Sequence, residues 1–425
     1  MADDKLLSVD EALARVLAGA TRLSGEEEVS LSKALGRTLA KDLVSRRTQP
    51  PVAVSAMDGY ALRAADLSAP GARLKLVGES AAGHGYHLAL GAGETVRIFT
   101  GAPVPEGADT ILLQEDATID ASGVGAASPP PAGRHIRERG LDFREGDPAL
   151  FAGTRIGPSE LALAAAINHP LLPVARRPRV ALIASGDELV PPGAEPGPAQ
   201  IIACNGYAVA AIAEAAGAEV IDLGIFRDDI AELEKGLEQA RAAKADIVVT
   251  LGGASVGDHD LLRPALARQG MALDFWRIAM RPGKPLIHGT LGEARILGLP
   301  GNPVAAFVCA LVFLGPLVRT LQGDPRAGAD ETEAAVAGAP LKPNKGRRDY
   351  MRATLTRDAE GRLTATPQAL QDSSLLTELA RSQALLIREA GDGAVAAGGP
   401  CRILRLPGAF VAEAPGREDQ RSPSC

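Results

Sequence analysis

The segment ADIVVTLGGASVGDHD (245–260) indicates the architecture of the chain, because a short apolar run passes directly into a glycine-rich loop. The pattern recurs at ARILGLPGNP (294–303), and RPGKP (281–285) lies between the two. Each run is typical of a buried strand, and each turn opens onto a helix-like segment. Ligands of open α/β sheets bind beyond the carboxyl ends of such strands, where backbone N–H groups favour anions. We therefore predict a site for an anionic, phosphorylated small molecule.

Two earlier strand-like runs, RVALIASG (179–186) and EVIDLGI (219–225), extend this pattern. Each precedes a helix-like segment, so strand, loop and helix repeat three times and predict a parallel sheet with right-handed crossovers. Polar or acidic residues follow every strand, namely Asp187, Glu188, Asp228, Asp229, Ser255 and Asp258. Carboxylates gathered at one sheet edge beside glycine loops suit a Mg²⁺-assisted phosphate site. The alternative is that these acids only cap the helices that follow.

Length and composition indicate a multidomain globular protein. The chain has 425 residues, of which 46% are hydrophobic, and a net charge of −7, which gives no sign of a general nucleic-acid surface. The N-terminal stretch lacks the basic region and long apolar core of a signal peptide. The most apolar segment, 304–318, is shorter than the ~20 residues that span a bilayer. We expect a cytoplasmic protein with no membrane partner, whose four cysteines, at 204, 309, 401 and 425, form no metal site.

Three further clusters have ordinary interpretations when each is taken alone. SAMDGYALR (55–63) places Asp58 in what reads as an Asp-Gly turn, and IFTGAPVPEGAD (98–109) places Thr100 at a strand end. Asp142 lies in a charged segment typical of a solvated face. The standard nucleotide motifs are absent, since no G-x-G-x-x-G occurs and proline follows Gly283-Lys284 where a P-loop needs Ser or Thr. His259 is most simply a surface or helix-start residue.

Taken together and in order, eight motifs resemble the molybdopterin molybdenumtransferase family of molybdenum cofactor biosynthesis, which includes the gephyrin E domain. They are SAMDGYALR, IFTGAPVPEGAD, RERGLD, SGDEL, GIFRDD, GGASVGDHD, MRPGKP and GLPGNP. The resemblance covers about residues 8 to 411. It implies insertion of molybdenum from molybdate into adenylylated molybdopterin with Mg²⁺-dependent release of AMP. Two alternatives stay open: a molybdopterin adenylyltransferase, which uses a related α/β domain, and a non-catalytic scaffold.

The resemblance also implies a homodimer of four-domain subunits. Four domains agree with the changes in residue composition and pattern along the chain. We expect a multidomain α/β plus β protein with a three-layer α/β molybdopterin-binding domain and a parallel-type sheet. The expected parts are an elongated domain from 1–48 and 136–176, a β-rich insert at 49–135, the α/β domain at 177–325, a C-terminal β-barrel at 326–412, and a disordered tail at 413–425. Further expected partners are the adenylyltransferase and apo-molybdoenzymes or their chaperones.

Site residues follow from matching the family motifs position by position and from the glycine loops. The expected catalytic residues are Asp58, Thr100, Asp142, Glu188 and Asp228. The expected Mg²⁺ ligands are Glu188, Asp228 and Asp260, where Asp260 fits the family position better than Asp258. The expected substrate-binding residues are Gly252, Gly253, Ser255, Gly257, Arg277, Arg281, Lys284, Pro300, Gly301, Asn302 and Pro303.

Two of these positions depart from the usual family pattern. Arg277 and Arg281 stand where lysines are frequent. Arginine keeps the charge and adds bidentate phosphate geometry, but it does not lend a proton at physiological pH. We therefore expect both residues to bind anions and not to donate protons. ARSQA (380–384) replaces a family alanine-asparagine motif, so no functional residue is expected there.

Overall fold

A computed structural model describes residues 6–253, 261–358, 360–408 and 412–413. Within these ranges the α/β domain is built on a mixed sheet of six strands. In spatial order they are Glu219–Phe226, Arg179–Ser185, Ile247–Leu251, Ala294–Leu299, Pro285–Leu291 and Ala272–Arg277. The first four are parallel, as expected, and the last two are antiparallel additions at one edge. The predicted fold class is confirmed, and the structure adds two antiparallel strands to the predicted parallel sheet.

Helices cover both faces of the sheet because its central strands are apolar on both sides. Every residue of Ile247–Leu251 is buried. One face packs against the helices Val9–Leu17, Asn205–Ala215 and Pro303–Leu321. The other face packs against Ile230–Ala242 and Leu262–Arg268. A short parallel pair, Leu189–Val190 with Ile201–Ile202, lies outside the main sheet.

The helix Pro303–Leu321 is the one helix of the described residues that is both long and strongly apolar. It is 19 residues long and by length and composition alone could cross a membrane, but 61% of its most apolar window is buried inside the protein. A π-helical turn at Ala310–Leu314 interrupts it just before Pro316. Proline has no N–H to donate to the preceding turn, which accounts for the interruption. The burial supports its predicted role as a core helix.

The elongated domain consists of short elements from two separate parts of the chain. Glu26–Ser30 pairs with Leu171–Ala175, and Leu43–Val44 pairs with Pro148–Leu150. The run PSELALAAAIN (158–168) predicts a helix that starts near Pro158, and the helix Pro158–Ala166 forms there. The run LSKALGRTLAKDL (31–43) has apolar residues at helical spacing and predicts a longer helix, but in the structure only Leu31–Ala34 of this run is helical. Beyond it the backbone turns away at Gly36 and Leu39 bridges to Val174, so tertiary pairing prevails over helical spacing.

The insert is mainly β-structure, as predicted. Its described part contains a four-stranded sheet, whose strands in spatial order are Lys75–Ser80, Glu94–Ile98, Gly59–Leu62 and Thr110–Leu113. A hairpin is formed by Ala117–Asp120 and Gly123–Ala126. A short pair joins Val54–Ser55 to Ile136–Arg137. A 3₁₀ turn spans Ala64–Leu67. The Gly- and Pro-rich run ASGVGAASPPPAG (121–133) predicts an exposed loop, which is partly wrong. Gly123–Ala126 is a strand, and its Val124 is buried against Leu74.

A closed five-stranded barrel forms the C-terminal region. Going round the barrel, its strands are Arg348–Arg357, Leu363–Pro367, Glu333–Ala337, Pro400–Arg405 and Ala384–Arg388, the last of which pairs again with the first. The helix Leu376–Ala380 packs beside it. Two short strands, Met280–Arg281 and Ala412–Glu413, pair with the first strand from outside. Because Met280–Arg281 comes from the α/β domain, the two domains share a sheet. The exact domain boundaries stay a prediction.

Asp246 anchors the start of the central strand. Its carboxylate accepts two bonds of 2.8 Å from the Arg176 guanidinium and one of 2.7 Å from the Arg179 N–H. The Asp246 side chain is 14% exposed, whereas the nearby pair Arg179–Glu219 is open to solvent on both sides. Buried hydrogen bonds to a charged group stabilise more than exposed ion pairs do.

We therefore expect Asp246→Ala to lower the free energy of unfolding by about 2 kcal/mol, because it leaves Arg176 and the Arg179 N–H without this partner. Glu219→Ala is the matched control and should cost less than about 1 kcal/mol. The shift in urea midpoint, followed by fluorescence of Trp276 in the same sheet, measures both. Equal shifts for the two variants would contradict this role of Asp246.

Candidate functional site

The carboxyl edge of the parallel strands brings three predicted site segments together. The register pairs Ala184 with Leu251 and Leu251 with Leu299, so the residues that follow each strand meet at one edge. Gly252 lies there in the left-handed region, with φ +97°, and a Cβ at this position would lie 2.4 Å from the Ser185 carbonyl oxygen. Only glycine fits this close approach, and it leaves the backbone accessible to a ligand.

Ser185 and Asp228 are joined at this edge by a short hydrogen bond from the serine hydroxyl to the carboxylate. Ser185 is 5% exposed, so a buried group holds an exposed acid in place. The Asp228 N–H also donates to Asp187 Oδ1 at 3.4 Å. Ser185 was not among the predicted site residues, because no local pattern reveals that it orients Asp228.

Glu188 lies on the neighbouring loop. A Cβ on Gly186 would lie 2.6 Å from Glu188 Oε2, so the carboxylate folds back over that glycine. The Gly186 N–H in turn donates to the Phe226 carbonyl at 3.3 Å, two residues before Asp228. The predicted acids Glu188 and Asp228 therefore stand on adjacent loops of one sheet edge, and both are exposed.

The helix-capping alternative applies to Asp229 and not to its neighbour. Asp229 Oδ1 accepts the N–H groups of Ala231 and Glu232 at 2.9 and 3.2 Å, and Asp229 is the N-cap of the helix Ile230–Ala242. In the described chain the Asp228 carboxylate instead accepts the hydroxyl of Ser185. Adjacent aspartates thus have different roles, one structural and one available to a ligand.

Within the described residues, no three His, Cys, Asp or Glu side chains form a group that could hold a metal alone. The predicted residues Ser255, Gly257 and Asp260 lie outside the described ranges, as do Asp258 and His259. Mg²⁺ commonly takes one or two carboxylates together with substrate phosphates and water. Glu188 and Asp228 supply that donor set, so the described residues fit Mg²⁺ as an ion shared with a phosphorylated ligand.

The Pro300–Pro303 turn is held from two sides. Asn205 Nδ2 donates to the Gly301 carbonyl at 2.7 Å, and Asn302 Nδ2 donates to Ser373 Oγ at 3.0 Å. Ser373 also accepts the Val304 N–H at its carbonyl, at 3.0 Å. Asn302 is the N-cap of the long apolar helix, whose first residue, Pro303, has no N–H to donate. The sequence analysis did not select Asn205 or Ser373.

The predicted basic residues occupy different environments. The Arg277 guanidinium lies 3.5 Å from the centre of the Trp276 ring. Arg281 pairs with Asp349 of the barrel through two hydrogen bonds, of which Nε–Oδ1 is 2.8 Å, and these bonds raise the pKa of Arg281. Lys284 is exposed. Arg281 is thus paired, without any ligand, with Asp349, a carboxylate that was not among the predicted site residues.

Arg352 is a further cation that the sequence analysis missed. It is fully buried, its Nε and Nη1 have no hydrogen-bond partner among the described atoms, and its Nη2 donates to the Leu370 carbonyl at 3.1 Å. Burial lowers its pKa. Gln371, which bonds to the Arg352 backbone, lies two residues before Ser373. Buried N–H groups without partners are uncommon in proteins. The two unpartnered nitrogens of Arg352 therefore distinguish this part of the barrel from an ordinary, fully hydrogen-bonded core.

In the insert, Asp58 and Thr100 form one hydrogen-bonded pair. Asp58 Oδ1 accepts the Thr100 N–H at 2.7 Å and its hydroxyl at 2.8 Å. These bonds lower the pKa of Asp58 below its ordinary value. Gly59 begins the strand Gly59–Leu62, so the Asp-Gly turn interpretation is wrong.

Asp142 lies in a separate cleft of about 490 Å³ at the base of the insert. The cleft is also lined by Arg47, Arg137 and Gly101, the residue after Thr100. Asp142 is therefore near the loop that follows Thr100. Among the described residues, no hydrogen bond or ion pair links Asp58 or Thr100 to Glu188 or Asp228.

Three family models match the chain in sequence order. They are the MoeA N-terminal region (domain I and II) over residues 7–168, the probable molybdopterin binding domain over 181–320, and the MoeA C-terminal region (domain IV) over 334–406. Together they include nearly all the residues discussed above. The described edge of the α/β sheet thus falls within the model for molybdopterin binding.

Curated relatives and solved structures agree with these matches. The chain is 34% identical to the molybdopterin molybdenumtransferase of Haemophilus influenzae, over 92% of this chain and 97% of that one. It is 33% identical to that of Bacillus subtilis, over 94% of each. A molybdopterin biosynthesis MoeA protein from Pyrococcus horikoshii has a TM-score of 0.75 at 29% identity, covering 94% of this chain and 99% of its own. The chain therefore belongs to the molybdopterin molybdenumtransferase (MoeA) family, whose enzymes insert molybdenum during molybdenum cofactor biosynthesis.

Proposed function

We propose that this enzyme inserts molybdenum from molybdate into adenylylated molybdopterin and releases AMP in a Mg²⁺-dependent reaction. One observation carries the proposal: Ser185 touches both the glycine that opens the phosphate-type loop and the carboxylate of Asp228. A backbone cradle for phosphate and an oriented acid for a cation therefore share one sheet edge. Cleavage of a pyrophosphate bond requires both.

The phosphates of the substrate lie, in this proposal, between the Gly252–Gly253 backbone and the Pro300–Pro303 turn. Ser255 and Gly257, which follow Gly253 in the sequence, are proposed to bind the same phosphates. Backbone N–H groups at glycine turns and at a helix N-terminus stabilise phosphate charge without moving. The cations Arg277, Arg281 and Lys284 offset the remaining charge. Before the substrate binds, the pairing with Asp349 keeps the Arg281 guanidinium oriented. On binding, Arg281 replaces part of this pairing with contacts to the substrate.

Glu188 and Asp228 would hold the Mg²⁺, with Asp260 as the third carboxylate. When bound, the ion neutralises pyrophosphate charge and makes AMP a better leaving group. Ser185 keeps one Asp228 oxygen in a fixed hydrogen bond, so the other oxygen points to a defined position. Such outer contacts commonly change metal affinity by about 10- to 100-fold.

Asp58, Thr100 and Asp142 act, in this proposal, at the molybdate end of the substrate. Two facts support a location in the partner subunit of a homodimer. The insert has its own small cores, and among the described residues Asp58 and Thr100 bond to each other and not to Glu188 or Asp228. A second subunit with twofold symmetry would bring the two groups together in two equivalent sites. We further propose a cytoplasmic location and transfer of the product to apo-molybdoenzymes or their chaperones, with the adenylyltransferase supplying the substrate.

We expect Glu188→Ala and Asp228→Ala to keep the fold and to reduce AMP release by at least about 100-fold, because each removes a Mg²⁺ ligand. The measurement is AMP formed from adenylylated molybdopterin and molybdate. Glu195→Ala, which removes an exposed acid from a loop of the same domain, is the control and should keep full activity. Wild-type turnover by both site variants would contradict the assignment.

Ser185→Ala tests the link between the loop and the acid. It leaves both carboxylates present but releases Asp228, so the Mg²⁺ concentration for half-maximal AMP release should rise about tenfold. Activity at saturating Mg²⁺ should be largely recovered, whereas Asp228→Ala should not recover. A Mg²⁺ dependence equal to that of the wild type would show that Ser185 does not orient the metal ligand.

A further inference from the structure

Arg97 is held at four points in the insert. Its Nη1 donates to the Gly59 carbonyl at 3.2 Å, and its Nη2 donates to Gln114 Oε1 at 2.6 Å. The guanidinium carbon lies 5.0 Å from the ring centres of both Tyr60 and Phe99. Arginine can combine stacking on aromatic faces with donation in two directions, which lysine cannot do. The side chain is therefore fixed in a single orientation.

Arg97 contacts a direct neighbour of each residue of the Asp58–Thr100 pair. Gly59 directly follows Asp58, and Phe99 directly precedes Thr100. The antiparallel register pairs Gly59 with Ile98, so the two segments run side by side. The strand that carries Arg97 thus leads straight to Thr100, while its guanidinium holds the segment that carries Asp58.

Gln114 adds a third segment to this arrangement. Its N–H donates to the Asp58 carbonyl at 3.2 Å while its side chain accepts from Arg97. Gly59 must also be glycine here, since a Cβ would lie 2.0 Å from the Leu112 carbonyl oxygen of the neighbouring strand. One guanidinium therefore bridges the three chain segments that determine where the Asp58 carboxylate points.

The charge of Arg97 complements this geometry. After the bonds from Thr100, the nearby guanidinium also lowers the pKa of Asp58. Molybdate is an anion, and an uncompensated carboxylate would repel it. A fixed cation beside Asp58 offsets that repulsion while the carboxylate continues to accept both bonds from Thr100.

We propose that Arg97 is a positioning residue, which holds Asp58 and Thr100 in the arrangement that meets the molybdate end of the substrate. The inference rests on the proposed function of that pair and concerns a residue that contacts neither the phosphate loops nor the Mg²⁺ ligands in the described hydrogen bonds. A purely structural role of Arg97 in the insert is the competing explanation.

Amide exchange at Thr100 tests the proposal without using activity. Threonine labelled with ¹⁵N reports Thr100 together with Thr95 and Thr110, which lie in strands of the same sheet. In Arg97→Met the Thr100 N–H should exchange about tenfold faster or more, because its bond to Asp58 is no longer held, while Thr95 and Thr110 stay protected. Arg97→Lys should show an intermediate rate.

Arg73→Met is the matched control, because Arg73 belongs to the same insert but pairs with Asp120. Its Thr100 exchange should equal that of the wild type. If Arg97→Met destabilises the whole insert, the Arg97→Lys variant is the deciding one. Faster amide exchange at Thr100 alone, with Thr95 and Thr110 still protected, then supports the proposal. Unchanged Thr100 exchange in Arg97→Met, or loss of protection at all three threonines in both Arg97 variants, overturns it.

Kinetics separate this inference from the proposed function. Arg97→Met should lower kcat for AMP release about tenfold or more and leave KM for adenylylated molybdopterin unchanged, with partial recovery in Arg97→Lys. A raised KM with unchanged kcat would overturn a positioning role in the reaction. If Thr100 exchange responds but AMP release does not, Arg97 positions the pair as inferred, and the assignment of the pair to the reaction fails.

Discussion

Parallel pairing of Arg179–Ser185, Ile247–Leu251 and Ala294–Leu299 is the constraint on which the site depends. A shift of one residue between these strands would separate Gly252 from Ser185 and would turn buried side chains toward the opposite face. Helices on both faces make such a shift costly, because each strand is apolar on both sides. The phosphate loop and the acids are thus located by the core itself.

The barrel completes the same site from outside the α/β domain. Met280–Arg281 joins the barrel sheet, Asp349 pairs with Arg281, and Ser373 bonds to Asn302. The cations and the turn that are proposed to hold the pyrophosphate therefore depend on barrel residues for their orientation. This dependence gives a physical reason for the barrel to be present in an enzyme whose acids lie in another domain.

Local patterns predicted what is locally determined. Apolar runs that end in glycine predicted the parallel strands, and the Ser8–Glu11 capping box forms as its spacing indicates. Contacts between residues far apart in sequence, such as Arg281–Asp349 and Asn302–Ser373, leave no local signal. The two antiparallel edge strands were missed because His288 and Gly289 interrupt the apolar pattern of Pro285–Leu291, and Asp274 interrupts that of Ala272–Arg277. Asp228 and Asp229 are identical in type, so only the geometry distinguishes cap from site.

The central claim is that Asp58 and Thr100 of one subunit act with Glu188 and Asp228 of the other. Co-purified mixed dimers, carrying Asp58→Asn in one subunit and Glu188→Ala in its partner, test it most directly. Each parent homodimer has two damaged sites, but the mixed dimer has one intact site if the two groups come from different subunits. The account predicts AMP release at about half the wild-type rate per dimer. Activity no higher than that of either parent homodimer would contradict it.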